Sequence, residues 1–250
     1  MSITIKTENQ IDKMRRAGNL LAEVEAVIAK AVVPGVTTSY LDKLAEDYIR
    51  SHEATPSFKG YGGFPGTLCT SINEEVVHGI PSERVLKEGD ILSVDMGCIL
   101  GGYHADMART YAVGEISPEA KKLIEVTKQS FFEGITFAKE GNYLNDIGSA
   151  IQKYVEKNGF SVVRAYVGHG IGTQLHEAPE IPNYKTFGRG VRLVKGMTLA
   201  IEPMVNMGDC NVRTLKDGWT AVTKDGKYSA HYENTILITD DGPEILTLPR

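Results

Sequence analysis

The segment "GDILSVDMGCILGGYHADMARTYA", residues 89–112, consists of two apolar stretches on either side of a Gly-Gly pair. Gly101 and Gly102 predict a two-residue hairpin turn, because a turn of that length needs the positive φ angles that glycine adopts most easily. The flanking residues Leu100 and Tyr103 are then opposite each other. The segment therefore predicts two antiparallel strands in a fixed register.

Two aspartates lie on one face of this predicted hairpin. In the register above, Asp106 is opposite Gly97, and Gly97 shares a face with Asp95. The two acids are then diagonal neighbours with backbones about 7 Å apart. Like charges this close hold each other protonated unless a cation lies between them. The alternative is a pair of solvated aspartates on an edge strand.

A similar arrangement recurs in the second half of the chain. Each half places one acid at the end of a strand-like stretch, Asp95 in "GDILSVDMG" (89–97) and Glu202 in "KGMTLAIEPM" (195–204). "AHYENTIL" (230–237) also contains His-x-Glu where the hairpin contains His-x-Asp. The tripeptide His-Gly-Ile also occurs twice, at 78–80 and 169–171. Coincidence is the alternative, but the order helix, helix, His-Gly-Ile, acid, acid predicts an internal duplication with halves of about 1–115 and 116–250. The four matched acids are Asp95, Asp106, Glu202 and Glu233.

Four carboxylates inside predicted strands indicate a metal site, since buried acids are unfavourable unless they are paired or bind a cation. Their charge of −4 balances two divalent ions, which two-metal hydrolytic sites hold about 3.5 to 4 Å apart. Oxygen-rich ligation with histidine suits Co, Mn, Fe(II) or Zn. His52 lies in a polar helical stretch and is expected on the surface. The remaining histidines are candidates for the site: His78, His104, His169, His176 and His231.

Helix signals precede both pairs of acids. Thr7 and Gln10 have the spacing of a capping box, and the apolar residues that follow keep a helical period as far as Pro34. A second helix is predicted in "TTSYLDKLAEDYIRSH" (37–52), a third from Ser117-Pro118, and a fourth in "YLNDIGSAIQKYVEKNG" (143–159). The Gly-rich stretch "SFKGYGGFPGTLCTSIN" (57–73) is predicted as a loop leading into a strand at 74–80.

Composition restricts the possible classes of protein. The 250 residues are 42% hydrophobic, so the chain is globular. A net charge of −5 without a run of basic residues argues against direct nucleic-acid binding. The chain shows neither a signal peptide nor 18 consecutive apolar residues, which indicates a cytoplasmic protein without a membrane partner. Cys69, Cys98 and Cys210 are too widely spaced for a CxxC site and are expected to be reduced and mostly buried.

Four segments together resemble the bacterial type I methionine aminopeptidases, and the resemblance covers nearly the whole chain. They are "NEEVVHGIP", "DMGCILGGYHADMARTY", "GHGIGTQLHEAP" and "LAIEPM". The resemblance implies the α+β pita-bread fold, with two pseudo-symmetric halves forming a curved antiparallel sheet with helices outside. It also implies a single catalytic metallopeptidase domain over residues 1–250. Asp106 and Glu233 would bridge two divalent ions in a ligand set of Asp95, Asp106, His169, Glu202 and Glu233.

The resemblance further implies roles around the metals. Glu202 would be the general base, His176 would hydrogen-bond the scissile amide, and His78 would bind substrate near the scissile bond. The two His-Gly-Ile tripeptides would then be duplicated copies of one motif that have taken different roles. Phe58 and Leu175 depart from better-known members of the family, which implies a pocket of different shape. Ordinary core packing is the alternative for each pocket aromatic. The implied methionine pocket consists of Phe58, Tyr61, Phe64, Cys69, Leu175 and Trp219.

The implied activity is removal of the N-terminal methionine from nascent proteins when the second residue is small. The implied partners are nascent polypeptide N-termini and, by analogy, the ribosome, and the family expectation is a monomer. Prolidases and proline-directed aminopeptidases share the five ligands but usually carry a further N-terminal domain. The residues also leave open a non-enzymatic binding module on the same fold and a purely structural network of acids. The Gly-rich segments lack the GK[ST] ending of a phosphate loop and the third glycine of a dinucleotide fingerprint.

Overall fold

The computed structural model describes residues 3–249, which form four α-helices, one short 3₁₀ helix at Tyr61–Gly63 and fifteen strands. The helices are α1 (Glu8–Ala31), α2 (Thr38–Ser51), α3 (Pro118–Ile135) and α4 (Leu144–Lys157). The strands of the first half are β1 (Thr55–Pro56), β2 (Leu68–Ile72), β3 (Glu75–Val77), β4 (Ile91–Leu100) and β5 (Tyr103–Ala112). Those of the second half are β6 (Ser161–Val162), β7 (Gly168–Gly170), β8 (Glu177–Ile181), β9 (Thr198–Ile201), β10 (Met204–Asn206), β11 (Val212–Thr214), β12 (Ala221–Thr223), β13 (Ser229–His231), β14 (Glu233–Ile238) and β15 (Pro243–Ile245).

The helices begin at the predicted capping residues. Before α1, the backbone N–H of Thr7 donates to the side-chain oxygen of Gln10 at 2.9 Å. The hydroxyls of Thr37 and Ser117 accept from backbone N–H groups in the first turns of α2 and α3 at 3.2 and 3.1 Å. Each contact satisfies a backbone donor or holds the chain in the geometry that starts a helix. None of the helices within residues 3–249 is both long and apolar enough to cross a membrane.

The predicted hairpin is confirmed, with its register. Gly101 and Gly102 have φ angles of 59° and 81°, as a primed two-residue turn requires. Leu100 is opposite Tyr103, and the pairing continues without a break to Ile91 opposite Ala112. β4 and β5 are therefore one long ribbon whose two faces can be assigned from residue number alone.

The hairpin belongs to a nine-stranded antiparallel sheet with the order β1-β4-β5-β14-β9-β7-β8. β2 also pairs with β4, and β15 pairs with β14. The two halves meet where β5 pairs with β14, and each half continues outward through a further strand, β4 in the first half and β9 in the second. The duplicated order predicted for the two acid-bearing strands is therefore present in the sheet.

The helices cover one face of this sheet. α1 and α2 pack on the first half through a cluster that includes Leu92, Val94 and Met96 of β4. α3 and α4 pack on the second half through a separate cluster that includes Leu199 and Ile236. Because neighbouring residues of a strand point to opposite faces, Ser93 and Asp95 are directed away from the helices. The face opposite the helices is thus where polar side chains collect.

Two local predictions were wrong. Leu68–Ile72, predicted as part of a Gly-rich loop, forms β2 and pairs with β4 along its whole length. Asp95 is the fifth residue of the ten-residue strand β4, not its end, whereas Glu202 directly follows β9. The short apolar run of β2 follows four glycines in seven residues, so its strand propensity is masked by the turn signal.

The two His-Gly-Ile tripeptides do not occupy equivalent places. His169 lies inside β7, which pairs with β9. His78 follows β3, has a φ angle of 61°, and belongs to a different sheet, in which β3 pairs with β12. The place next to β4 that corresponds to β7 next to β9 is taken by β2. The duplication therefore relates the strands, and the shared tripeptide is not its marker.

Candidate metal and substrate site

Three of the predicted ligands surround one small residue at the junction of the halves. Asp95 of β4 and Glu233 of β14 are both opposite Ala108 of β5. Asp106 precedes Ala108 by two residues and so shares its face. The buried methyl group of Ala108 leaves open the space between the carboxylates. The register of three strands is thus what brings acids from both halves together.

The other two predicted ligands come from the second half. His169 is opposite Ala200, and Glu202 follows Ala200 by two residues. The Nε2 atom of His169 lies 3.6 Å from Oε1 of Glu202 and 3.8 Å from Oδ2 of Asp106. Ligand atoms of Asp106, His169 and Glu233 all lie within 4.8 Å of one another. All five predicted ligands therefore converge on one face of the sheet.

The tautomer of His169 suits metal binding. Its Nδ1 atom is 2.9 Å from the carbonyl oxygen of Gly170, and a carbonyl only accepts, so Nδ1 carries the proton. Nε2 then has a free lone pair directed at the acids. Burial lowers the pKa of His169 to about 3, which keeps the ring neutral at physiological pH. A backbone carbonyl that fixes the ring in this way is a usual partner of a ligating histidine.

The acids have unsatisfied oxygens. Buried atoms Oδ1 of Asp95, Oδ1 of Asp106 and Oε1 of Glu233 have no hydrogen-bond partner within the described chain. Buried polar atoms are almost always satisfied, so three unpartnered carboxylate oxygens in one place indicate a cation-binding site. Carboxylate oxygens with one imidazole suit divalent ions. The residues present thus fit a divalent metal site.

The electrostatics lead to the same conclusion. Burial raises the pKa of Asp95 to about 7. Burial, and then the neighbouring acids, raise the pKa values of Asp106, Glu202 and Glu233 well above their ordinary range. In the absence of cations these groups therefore hold protons near neutral pH. Divalent ions would stabilise all four carboxylates in the ionised form.

We expect divalent metal binding to release protons and to strengthen as the pH rises. The pKa values of the acids are raised in the metal-free protein, so ions compete with protons that are lost only as the pH increases through about 7, the pKa of Asp95. Titration calorimetry with Mn(II) in buffers of different ionisation enthalpy measures the number of protons released. A binding enthalpy that is the same in every buffer at pH 7 would contradict this expectation.

One cavity of about 210 Å³ connects the acids to an apolar wall. The rings of Phe64 and Trp219 meet edge to face with centroids 5.2 Å apart, and Phe64, Cys69 and Leu175 are buried. The structure brings all six predicted pocket residues to this cavity, together with the five predicted ligands and both catalytic candidates. Sequence reasoning missed four further lining residues: Val77, Tyr166, Val167 and Met204.

The two catalytic candidates differ in their surroundings. His176 is partly exposed and partly enclosed by the cavity; its Nδ1 atom is 2.8 Å from the hydroxyl of Tyr61, and its ring centroid is 4.2 Å from that of His169. His78 packs edge-on against Tyr166 at 5.3 Å. Burial lowers the pKa of His78 to about 4 and also lowers that of His176. Both rings are therefore neutral at pH 7 and can donate or accept a hydrogen bond.

The remaining histidines have different surroundings in the structure. Nδ1 of His104 is 3.0 Å from the hydroxyl of Ser57. The Nε2 atom of His231 is 3.9 Å from Oε2 of Glu202 and 3.8 Å from Oε2 of Glu233, although His231 was not in the predicted ligand set. His52 lies at the exposed end of α2 against Tyr48, as predicted. All three cysteines are free, and two of them, Cys69 and Cys98, are buried.

Comparison with known proteins identifies the family of this chain. The sequence model of Metallopeptidase family M24 matches residues 12–240. The methionine aminopeptidase of Clostridium acetobutylicum is 61% identical over 247 residues, covering 98% of this chain and 99% of its own. The crystal structure of a methionine aminopeptidase from Thermotoga maritima superimposes with a TM-score of 0.97 at 50% identity, covering 99% of this chain and 100% of that one.

More distant structures share only the fold. The prolidase of Pyrococcus horikoshii has a TM-score of 0.80 at 21% identity, and the match covers 98% of this chain but 64% of the prolidase. The close structural match at 50% identity confirms the predicted pita-bread α+β fold of two halves. The family match and the 61% identity over nearly the full length show that this chain is a member of Metallopeptidase family M24.

Proposed function

We propose that the chain is a metal-dependent aminopeptidase, a single catalytic domain that removes the N-terminal methionine from proteins whose second residue is small. The observation that carries this proposal is the shared cavity, in which an acid cluster suited to divalent ions adjoins a wall of buried apolar side chains. A hydrolytic centre beside an apolar pocket suits cleavage next to one apolar residue. Relatives that are 61% and 58% identical over 98% of this chain are methionine aminopeptidases.

Five side chains are proposed to hold two ions. Asp106 and Glu233 come from the two halves, and their ligand atoms lie within 4.8 Å of each other and of His169, which supports them as the bridging pair. Asp95 would complete the ligand set of one ion, and His169 and Glu202 would complete that of the other. Divalent ions bound there would lower the pKa of a water molecule and polarise the peptide carbonyl. Co, Mn, Fe(II) and Zn all suit this ligand set, and the charge of −4 supports two ions rather than one.

Glu202 is proposed as the general base. It is half-buried, faces the cavity, and lies 3.6 Å from the proposed ligand His169. In this role one carboxylate oxygen takes the proton of the attacking water and later delivers it to the leaving amine.

His78 and His176 are proposed to bind the substrate around the scissile peptide bond. Both line the cavity, and both rings are neutral because burial lowers their pKa values. A neutral imidazole donates one hydrogen bond to an oxygen that becomes negative during attack, without adding a full charge to the site. The exposure of His176 supports a position at the mouth of the cavity, where the second substrate residue would leave the pocket.

The apolar wall is proposed to bind the methionine side chain. Phe58, Phe64, Cys69 and Leu175 are buried, and Tyr61 and Trp219 close the same cavity. Thioethers make favourable contacts with aromatic rings, and the pair of Phe64 and Trp219 offers both an edge and a face. Phe58 at a pocket position supports a narrower pocket than a small residue would give.

The cellular setting is part of the proposal. Peptide substrates of this kind are nascent polypeptide N-termini, so we propose a cytoplasmic enzyme that acts as a monomer near the ribosome. Its net charge of −5 argues against direct nucleic-acid contact as the basis of that location. The prolidase alternative is not favoured, since prolidase structures share the fold at 21% to 24% identity. The binding-module alternative requires lost ligands, and all five proposed ligand positions hold Asp, Glu or His, which can bind a metal.

A mixed peptide pool tests this function. Metal-stripped protein is incubated with peptides that begin Met-Ala, Met-Lys, Ala-Pro, Xaa-Pro and acetyl-Met-Ala, with and without Mn(II) or Co(II), and products are measured by mass spectrometry. We expect loss of methionine from Met-Ala alone, and only with metal. Cleavage before proline would indicate a prolidase, and an intact pool with every metal would indicate a binding module.

A further inference from the structure

His231 is a buried imidazole to which the proposed function gives no role. It ends β13, two residues before the proposed bridging ligand Glu233, and its exposed fraction is only 1%. Its Nε2 atom has no hydrogen-bond partner in residues 3–249. An unpartnered ring nitrogen in a protein interior is unfavourable, so a further group at this position is indicated.

The unpartnered nitrogen is directed at the acids. Nε2 of His231 lies 3.9 Å from Oε2 of Glu202 and 3.8 Å from Oε2 of Glu233. Both distances exceed the range of a hydrogen bond, so neither carboxylate satisfies the ring directly. The three ligand atoms lie within 4.8 Å of one another and form a second group able to hold an ion, beside the group of Asp106, His169 and Glu233.

These separations suit a shared ion. Metal–nitrogen and metal–oxygen bonds are about 2.0 to 2.2 Å long, so two ligands of one ion are separated by about 4 Å or less. The distances of 3.8 and 3.9 Å from His231 satisfy that limit. Imidazole is also a ligand that Mn, Fe(II), Co and Zn accept beside carboxylates.

His104 shows how the same motif behaves without this role. It precedes Asp106 by two residues, as His231 precedes Glu233, and it is also buried. Its Nδ1 atom, however, is 3.0 Å from the hydroxyl of Ser57, so the ring has a partner inside the protein. The two His-x-acid segments are therefore matched in sequence but not in environment.

We propose that His231 is a sixth protein ligand of the metal centre, binding through Nε2 the ion that Glu202 and Glu233 also bind. The inference rests on the proposed function only in that divalent ions occupy the site. It adds a second imidazole to the centre, beside His169. The ion at Glu202 and Glu233 would gain a neutral ligand without a change in the charge of the site.

Paramagnetic proton NMR of the Co(II)-loaded full chain, labelled with [¹⁵N]histidine, counts the ligating histidines. An imidazole bound through Nε2 retains an N–H proton at Nδ1, and Co(II) shifts that proton far downfield. The unsubstituted protein should show two such ¹⁵N-coupled protons, one from His169 and one from His231. A single shifted proton in this protein would overturn the proposal, and this result needs no variant.

Substitution identifies the second signal. In His231→Gln, which keeps a side chain of similar reach, one signal should vanish and Co(II) should bind at least about tenfold more weakly. His104→Gln is the matched control and should keep both signals. Two signals in the His231→Gln protein would overturn the proposal, because the second ligand would then be another histidine. If the unsubstituted protein bound no Co(II), the proposed metal centre itself would be overturned as well. Failure of the His231 proposal can therefore be distinguished from failure of the proposed function.

Discussion

Replacing Glu202 with Gln should reduce kcat for a Met-Ala peptide by about 10²- to 10⁴-fold, the usual contribution of a general base. An amide cannot take a proton from water, although it occupies nearly the same volume and can still offer one oxygen to an ion. Glu202 faces the cavity and lies 3.6 Å from His169, and the three other carboxylates that line the cavity are proposed to bind the ions. The fold should be retained, because Glu202 follows β9 and is not part of either hydrophobic cluster.

Steady-state kinetics with excess Mn(II), together with metal analysis of the purified variant, checks this result. Excess metal separates the loss of the base from weaker ion binding, since saturating Mn(II) restores occupancy but not proton transfer. Glu125→Gln, at an exposed position of α3, is the matched control and should keep normal rates. A Glu202→Gln protein with near-normal kcat at saturating metal would remove Glu202 from the role of base.

Replacing Asp106 with Asn should change the stability of the metal-free and metal-loaded proteins in opposite directions. Asp106 is buried, its pKa is raised by burial and by Glu233 and Asp95, and its Oδ1 atom is unpartnered within the described residues. A raised pKa in the folded state means that stability is highest at low pH and is lost as the pH rises above the unfolded value, about 3.9. The neutral amide avoids that loss, so metal-free Asp106→Asn should be more stable at pH 7.5 than the unsubstituted protein.

With metal bound, the difference in stability between Asp106→Asn and the unsubstituted protein should be reversed. Loss of a proposed bridging carboxylate should weaken metal binding and lower activity at least about 10²-fold, the upper end of what the loss of an outer-shell partner causes. Thermal unfolding with EDTA and with Mn(II) measures both signs in one series. Asp241→Asn, at an exposed position, is the control and should change neither. Equal stabilisation by Mn(II) in the Asp106→Asn and unsubstituted proteins would contradict a bridging role.

The hairpin of residues 89–112 shows what local chemistry can predict. The Gly101-Gly102 turn sets the register, and the register places Asp106 opposite Gly97. The structure shows both the predicted register and this pairing. The helix starts at Thr7, Thr37 and Ser117 were predictable for the same reason, because capping is a contact between residues three apart.

The approach of the two halves was not predictable from spacing. Glu233 reaches Asp106 because β14 pairs with β5, more than 120 residues away along the chain, and no local signal specifies that pairing. The resemblance to a known family implied this approach of the two halves instead. The same limit explains why Tyr166 and Met204 were missed. Both are within three residues of a predicted ligand, His169 or Glu202, but the pairing of those segments could not be deduced from the sequence.

The His-Gly-Ile repeat shows the opposite case, a sequence signal that misleads about position. A three-residue identity suggested equivalent sites, but backbone pairing places His169 in the main sheet and His78 in another. His231 was named as a candidate histidine but not as a ligand, because its closeness to Glu202 follows from the fold and not from the spacing of the His-x-Glu motif.

The most direct test of the proposed centre is the position of bound ions in crystals of the Mn(II)-loaded protein, measured by anomalous diffraction. We expect two peaks about 3.5 to 4 Å apart, bridged by Asp106 and Glu233, with His169 on one of them. No peak between these carboxylates, or ions bound only elsewhere on the chain, would contradict the assignment of this cluster as the catalytic metal centre.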